Sequence, residues 1–208
     1  MEITLLLSFI GASFLLTIMP GPDNLFVLTE SITKGGKFGV ALSCGLSSGV
    51  LIHTLAAATG LSLVLQNSAT AFSLIKYAGA FYLFYLAYLA LKEKRESLAF
   101  SSEKTEYKFW DLYKQGFLMN VLNPKVSLFF IAFLPQFISS NGMHVTIQMF
   151  VLGFIFMVQA LIIFSLIAIS ASRMTSFLRN DKFWSATKYT KVIVLAGLGF
   201  GLLLSKKT

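Results

Sequence analysis

Apolar runs long enough to cross a bilayer recur along this chain, separated by short polar connections. A span needs roughly 20 apolar residues to cross about 30 Å of hydrocarbon. Five blocks reach that length, at about residues 3–33, 38–65, 70–91, 112–138 and 145–171. A sixth has a thin pure core, Val192 to Leu204, which Tyr189 and the snorkelling stems of Lys188 and Lys191 extend to span length. Of the 208 residues 56% are hydrophobic and 12% charged, with a mean hydropathy of +0.75, which is more apolar surface than a soluble domain can keep from water. Lipid offers backbone groups no partner outside a helix or a closed barrel. Period-two alternation is absent, so every span is expected to be a helix.

The cations are sorted by connection. The first connection carries Lys34 and Lys37, the third Lys92, Lys94, Arg95, Lys104, Lys108 and Lys114, and the fifth Arg173, Arg179, Lys182, Lys188 and Lys191. The second and fourth, Gln66-Asn67-Ser68 and Ser139-Ser140-Asn141-Gly142, carry none. The positive-inside rule puts the odd connections in the cytoplasm and both termini outside; the thirteen cations there outweigh Lys206 and Lys207 at the other end. The net charge of +8 is therefore topology, and nucleic acid is not an expected partner. Ile3 to Met19 has the hydropathy of a secretory signal, but Met1 and Glu2 put no cation ahead of it, and no cleavage is expected. Glu2 also stands where myristoylation needs glycine, and the last residues hold no cysteine to prenylate. The one cysteine, Cys44, has no intrachain partner and reads as packing inside the second span.

Lys92 to Asp111 is the only long polar segment, and it reads as a cytoplasmic linker, residues 92–111, between two three-helix halves, 1–91 and 112–208. Trp110 and Tyr113 close it at headgroup level. Three spans per half is an odd number, so halves related by descent would lie in opposite orientations, as in many secondary transporters. The first span of each half carries a mark: Pro20-Gly21-Pro22-Asp23-Asn24 in one, Asn123-Pro124-Lys125 in the other. Proline removes a backbone donor and clashes with the preceding turn, so Pro20, Pro22 and Pro124, with Gly21, should interrupt their helices. About ten residues separate Asp23 from Lys34 and Lys114 from Asn123, or roughly 15 Å of helix, which sets both breaks near the midplane. The expected fold is an all-α membrane protein of six transmembrane helices, built as two inverted three-helix repeats with the first helix of each broken.

An acid at mid-membrane is expensive and tends to face a bundle interior or an aqueous cavity, which singles out Asp23. Asp23 and Asn24 also suit the cap of a restarted helix, and the two roles can coexist. Lys125 follows the second break at similar depth with opposite charge, so a salt bridge to Asp23 is the least costly way to hold both. Either that pair is structural, or it is a zwitterion site. In the second case Asp23 takes a substrate ammonium, while Lys125 and the helix N-terminus after Asn123 and Pro124 take its carboxylate. Lys76 reads as a stem snorkelling outward or as a gate charge, and Glu30 as a solvated neighbour of Lys34 or a proton acceptor. His53, with no second ligand at metal spacing, reads as a hydrogen-bonded packing residue rather than a relay, and no metal or cofactor is expected. His144, in an exterior loop, is assigned nothing. Gly45 with Gly49, and Gly197 with Gly201, fit the small-residue spacing of close helix approach, a weak pointer to a homodimer.

Pro20-Gly21-Pro22-Asp23-Asn24, then Lys34-Gly35-Gly36-Lys37-Phe38-Gly39, Gly45 and Gly49 resemble the LysE/RhtB superfamily of bacterial amino-acid exporters. Lys76-Tyr77-Ala78-Gly79-Ala80-Phe81-Tyr82-Leu83 is similar to the family's third span, and Gly116-Phe117, Asn120, Asn123-Pro124-Lys125 and Phe133-Leu134-Pro135-Gln136-Phe137 to its fourth. The similarity covers residues 3 to 138; the last two spans match only in size and hydropathy. It implies a multi-pass protein of the bacterial inner membrane that exports small neutral or basic amino acids, driven by the proton gradient. It places Asp23, Asn24, Lys76, Asn123, Pro124 and Lys125 at functional positions.

Other classes fit less well. A thiol relay needs two facing cysteines. A metal or inorganic-ion exporter of related architecture should show several intramembrane acids or histidines, where Asp23, His53 and Glu30 are the only candidates. A non-transporting assembly subunit should have an unbroken, charge-free bundle. An enzyme should show a nucleophile with its base or a metal triad, and neither is visible.

Overall fold

In a computed structural model the described residues are 2–61, 69–92, 108–139, 143–178 and 181–204. Most of the linker, at 93–107, lies outside them, as do Gln66-Asn67-Ser68, Ser140-Asn141-Gly142, Arg179 and Lys206 with Lys207. The described residues are helical apart from short joints and contain no strand. In chain order the helices are α1 (Ile3–Ile18), α2 (Pro22–Lys34), α3 (Gly36–Ala56), α4 (Ala69–Lys92), α5 (Phe109–Val121), α6 (Pro124–Leu128), α7 (Val145–Leu178) and α8 (Asp181–Leu204). A π turn, Ala57–Leu61, extends α3; a π turn and a 3-10 turn, Phe129–Phe133 and Leu134–Phe137, extend α6.

Four helices are long and apolar enough to cross a membrane alone: Gly36–Gly60, Ser73–Lys92, Val145–Ala171 and Trp184–Leu204. Two further spans are bent pairs, α1 with α2 at 56° and α5 with Pro124–Phe137 at 47°. Counting each pair once gives up to six. Both bends fall at the proline marks. At the first, Met19 ends α1 by donating its N–H to the Leu15 carbonyl, Gly21 is extended, and Pro22 occupies the first turn of α2, where its missing N–H costs nothing. At the second, Asn123 is extended and Pro124 begins α6. A third joint is made by Gly35, whose φ of 99° lies in the left-handed region that favours glycine.

α3 is the central helix, with 61% of its span buried against 28–33% in the other three unbroken spans. It packs most closely on α5 and α7, while α4 packs on α8. The α3–α5 contact is backbone to backbone. A Cβ on Gly45 would fall 2.0 Å from the Tyr113 carbonyl oxygen, one on Gly49 2.7 Å from Asn120 Cβ, and one on Gly116 2.3 Å from the Leu42 oxygen. Gly45 and Gly49 are therefore consumed within the chain. Gly197 and Gly201 meet nothing within 4 Å, and the glycine between them, Gly199, is the one that packs, on the Phe84 ring. Gly79 of α4 makes a similar close approach to Ala132 in the extension of α6.

Phe129 sits among Phe9, Phe133 and Phe156 with centroids 5.4–6.0 Å apart, which ties α1, the α6 extension and α7 together behind the two breaks. Since lipid is as apolar as these rings, their contribution is close packing rather than exclusion of water. The two ends of the described chain lie on one side. Glu2 Oε1 accepts from Ser139 Oγ in the fourth connection, and Lys76, early in α4, donates to the Leu203 carbonyl at 3.2 Å.

Gly45→Ala is expected to destabilise the bundle by about 1–3 kcal/mol through overpacking. Gly201→Ala, with open space around it, should be neutral or stabilise by up to about 1 kcal/mol, since alanine is the better helix former. Thermal unfolding of both variants in detergent checks this, and equal shifts would contradict the α3–α5 contact.

Candidate functional site

A helix that stops inside a membrane leaves carbonyls with neither water nor a next turn to accept from, and each must find a donor. At the end of α1 the four involved are Leu16, Thr17, Ile18 and Met19. Asn24 Nδ2 lies 3.0, 3.3 and 2.8 Å from the oxygens of Thr17, Ile18 and Met19. The fourth, Leu16, accepts from Lys125 Nζ at 3.3 Å. A residue of the second break thus completes the first, and its positive charge rests on the negative end of the α1 dipole.

The exchange runs both ways. Asp23, 5% exposed in the first turn of α2, accepts at Oδ2 from Asn123 Nδ2 at 2.6 Å. Asn123 Oδ1 in turn accepts from the Lys125 backbone N–H at 3.0 Å, and its carbonyl from the N–H groups of Val126 and Ser127. The donors at the N-terminus of α6 are therefore already in use. The expected salt bridge is not formed: Lys125 contacts Leu16 and Asp23 contacts Asn123, and the two charges act on each other through space.

Beside this junction lies a cavity of about 530 Å³. One wall is the breaks, with Gly21, Asn123 and Lys125; the other is Leu86, Leu89 and Lys92 of α4 with Lys191 of α8. Gly21 borders Lys125: a Cβ there would lie 3.6 Å from Nζ, an ordinary contact. Among the described residues the lining holds three lysines and no carboxylate, and Asp23 is engaged by Asn123. Such a lining is chemically suited to an anionic group on apolar walls.

Asp23, Asn24, Asn123 and Lys125 are brought together with Pro20, Pro22 and Pro124. Lys76 stands apart, at the C-terminal end of α8 and 5.2 Å from the Tyr77 ring centre. Glu30 pairs with Lys34 at 2.6 Å at the far end of α2. His53 lies 3.0 Å from the Asn120 carbonyl, which also accepts from Asn123 N–H, so the ring donates and helps hold the second break. His53 borders a second hollow, of about 430 Å³, lined also by Ser127, Phe130 and Ile131. Lys191 was missed by reading the fifth connection as uniformly interfacial. Its spacing gave the signal, since Lys191, Leu195, Leu198 and Leu202 form one helical stripe and all four are buried.

The family model described as LysE type translocator matches residues 4–206. Among curated relatives, an uncharacterised membrane protein of Bacillus subtilis (strain 168), YrhP, is 31% identical over 96% of this chain and 99% of its own length. A leucine efflux protein of Salmonella typhimurium (strain LT2) is 29% identical over 83% of this chain and 81% of its own. No solved structure matches the chain significantly.

The accounting at α1 makes Asn24 a donor. Asn24→Leu and Asn24→Asp, neither of which can donate, should each cost about 1–3 kcal/mol for the carbonyls left behind. Detergent melting curves test this, and an aspartate tolerated at wild-type stability would show the donor role to be wrong.

Proposed function

The chain belongs to the LysE type translocator family, and from that premise we propose that it is a secondary transporter exporting small amino acids, of which those with aliphatic side chains fit best. The observation that carries this is a lysine-lined cavity set against two mutually capped helix breaks. Broken helices that line a cavity are where transporters place their binding sites, because the free backbone groups and charges there have a use. The leucine efflux relatives support an aliphatic cargo, as do Met19, Leu86 and Leu89 in the lining. Movement through such a site makes and breaks no covalent bond and needs no cofactor.

A zwitterionic amino acid fits the charges. Its carboxylate is drawn to Lys125, which then leaves the Leu16 carbonyl. Its ammonium takes the vacated place, against that carbonyl and near Asp23, so one cation replaces another at the end of α1. Its side chain lies on the leucines of α4. Asp23 is also where a proton and the ammonium would exclude each other, and that exclusion couples efflux to the proton gradient. The pairing of α3 with α7 and α4 with α8, with a break opening each half, supports reading 1–91 and 112–208 as inverted repeats joined by 92–111. The cationic connections favour a cytoplasmic site for the Lys92 end of the cavity, with both termini outside the bacterial inner membrane.

Cells expressing the protein and loaded by feeding a leucine-containing dipeptide should release leucine faster than cells expressing Asp23→Asn or Lys125→Ala at equal membrane abundance. Losing one charge-assisted hydrogen bond to the cargo predicts a fall of about tenfold or more. Release at the wild-type rate from both variants, or no release of any of leucine, threonine, homoserine and lysine by the wild type, would overturn the reading.

A further inference from the structure

We propose that Lys191 is a specificity-determining residue that grips the substrate carboxylate jointly with Lys125, so that a free α-carboxylate is required of the cargo. The inference rests on the amino-acid reading of the cavity and names a ligand on the last helix, which neither the breaks nor the motifs around them supply. Three observations carry it. Lys191 lines the cavity from α8, across from Lys125 on the break wall. It is only 7% exposed, so its head does not snorkel out along the surface but stays among protein groups. Trp184 begins its span seven residues earlier, which sets Lys191 roughly 10 Å inward along the helix.

The two lysines line the same cavity. Inside a low-dielectric cavity repulsion between their charges is stronger than in water, and an anion between the two turns it into attraction on both sides. A carboxylate has two oxygens and suits two donors on facing walls. Lys125 is also engaged with the Leu16 carbonyl and acts on Asp23 through space, so it cannot serve the carboxylate without giving up part of that role. Lys191 comes from α8, outside the two breaks. A cargo without the carboxylate, such as the amide of the same amino acid, gains nothing from Lys191 and adds its own positive charge to a cavity already lined by three lysines.

The test is equilibrium binding to the full-length protein in detergent or nanodiscs, with L-leucine and L-leucinamide as probes. K191Q removes the charge, K191R keeps it, and K191M keeps the stem and its packing in case the glutamine variant does not fold. For leucine, K191Q and K191M should weaken binding about tenfold or more, and K191R should recover most of that loss. Leucinamide should bind the wild type weakly and lose no affinity in K191Q or K191M, where one repelling charge is gone. Leucine affinity unchanged in K191Q or K191M would overturn the assignment, as would an equal loss for both probes, since a merely structural lysine affects the two alike. Failure of the wild type to bind any of leucine, threonine, homoserine and lysine is a different result: it removes the amino-acid reading and this inference with it.

Discussion

Four carbonyl oxygens at the end of α1 govern the centre of this protein. A break in a membrane helix is tolerated only if the freed backbone groups are met, and here three share the two N–H groups of Asn24 from the same half and the fourth accepts from Lys125 of the other. That cross-half bond places a half-buried cation near a buried acid. Asn123 then holds the acid from the second break, and the same residue caps α6. The two interruptions are not independent defects that happen to be adjacent; each supplies what the other lacks.

This arrangement sets the character of the site. Had Asp23 and Lys125 formed a direct, fully satisfied ion pair, separating them would cost both partners their best contact. Lys125 is instead held by one carbonyl at 3.3 Å and by a through-space attraction, a weaker grip that a competing anion can loosen. Asp23 keeps its hydrogen bond to Asn123 whatever Lys125 does. The junction can therefore exchange one cation for another without leaving the acid stranded.

Much of this was legible from residues alone, because the membrane allows so few solutions. The spans follow from length and hydropathy, the breaks from Pro20, Pro22 and Pro124, and the meeting of Asp23, Asn123 and Lys125 from equal depth and opposite charge. What could not be read was which atom each would choose. Asn24 turns back to cap the preceding helix rather than the following one, and Lys125 takes a carbonyl rather than a carboxylate, because unmet acceptors in lipid compete as strongly as charges do. Lys191 was obscured by its company, lying in a basic run that reads as an interfacial cluster until the phase of its helix is followed. Gly45 and Gly197 show the same limit, since identical spacing serves internal packing in one helix and faces outward in the other.

The close approach of Gly79 to Ala132 has a mechanical side. It presses α4 against the extension of α6 near the middle of the helix, while toward its C-terminal end Leu86, Leu89 and Lys92 border the cavity. α4, packed on α8, is thus fastened at mid-length, with its C-terminal half bordering the cavity. Thirteen residues separate Gly79 from Lys92, a lever of roughly 20 Å, so a tilt of about 5° at the fastening moves the far tip by roughly 2 Å. In such a lever, side-chain volume beside Gly79 would bear on the cavity's width from a distance, since neither Gly79 nor Ala132 lines it.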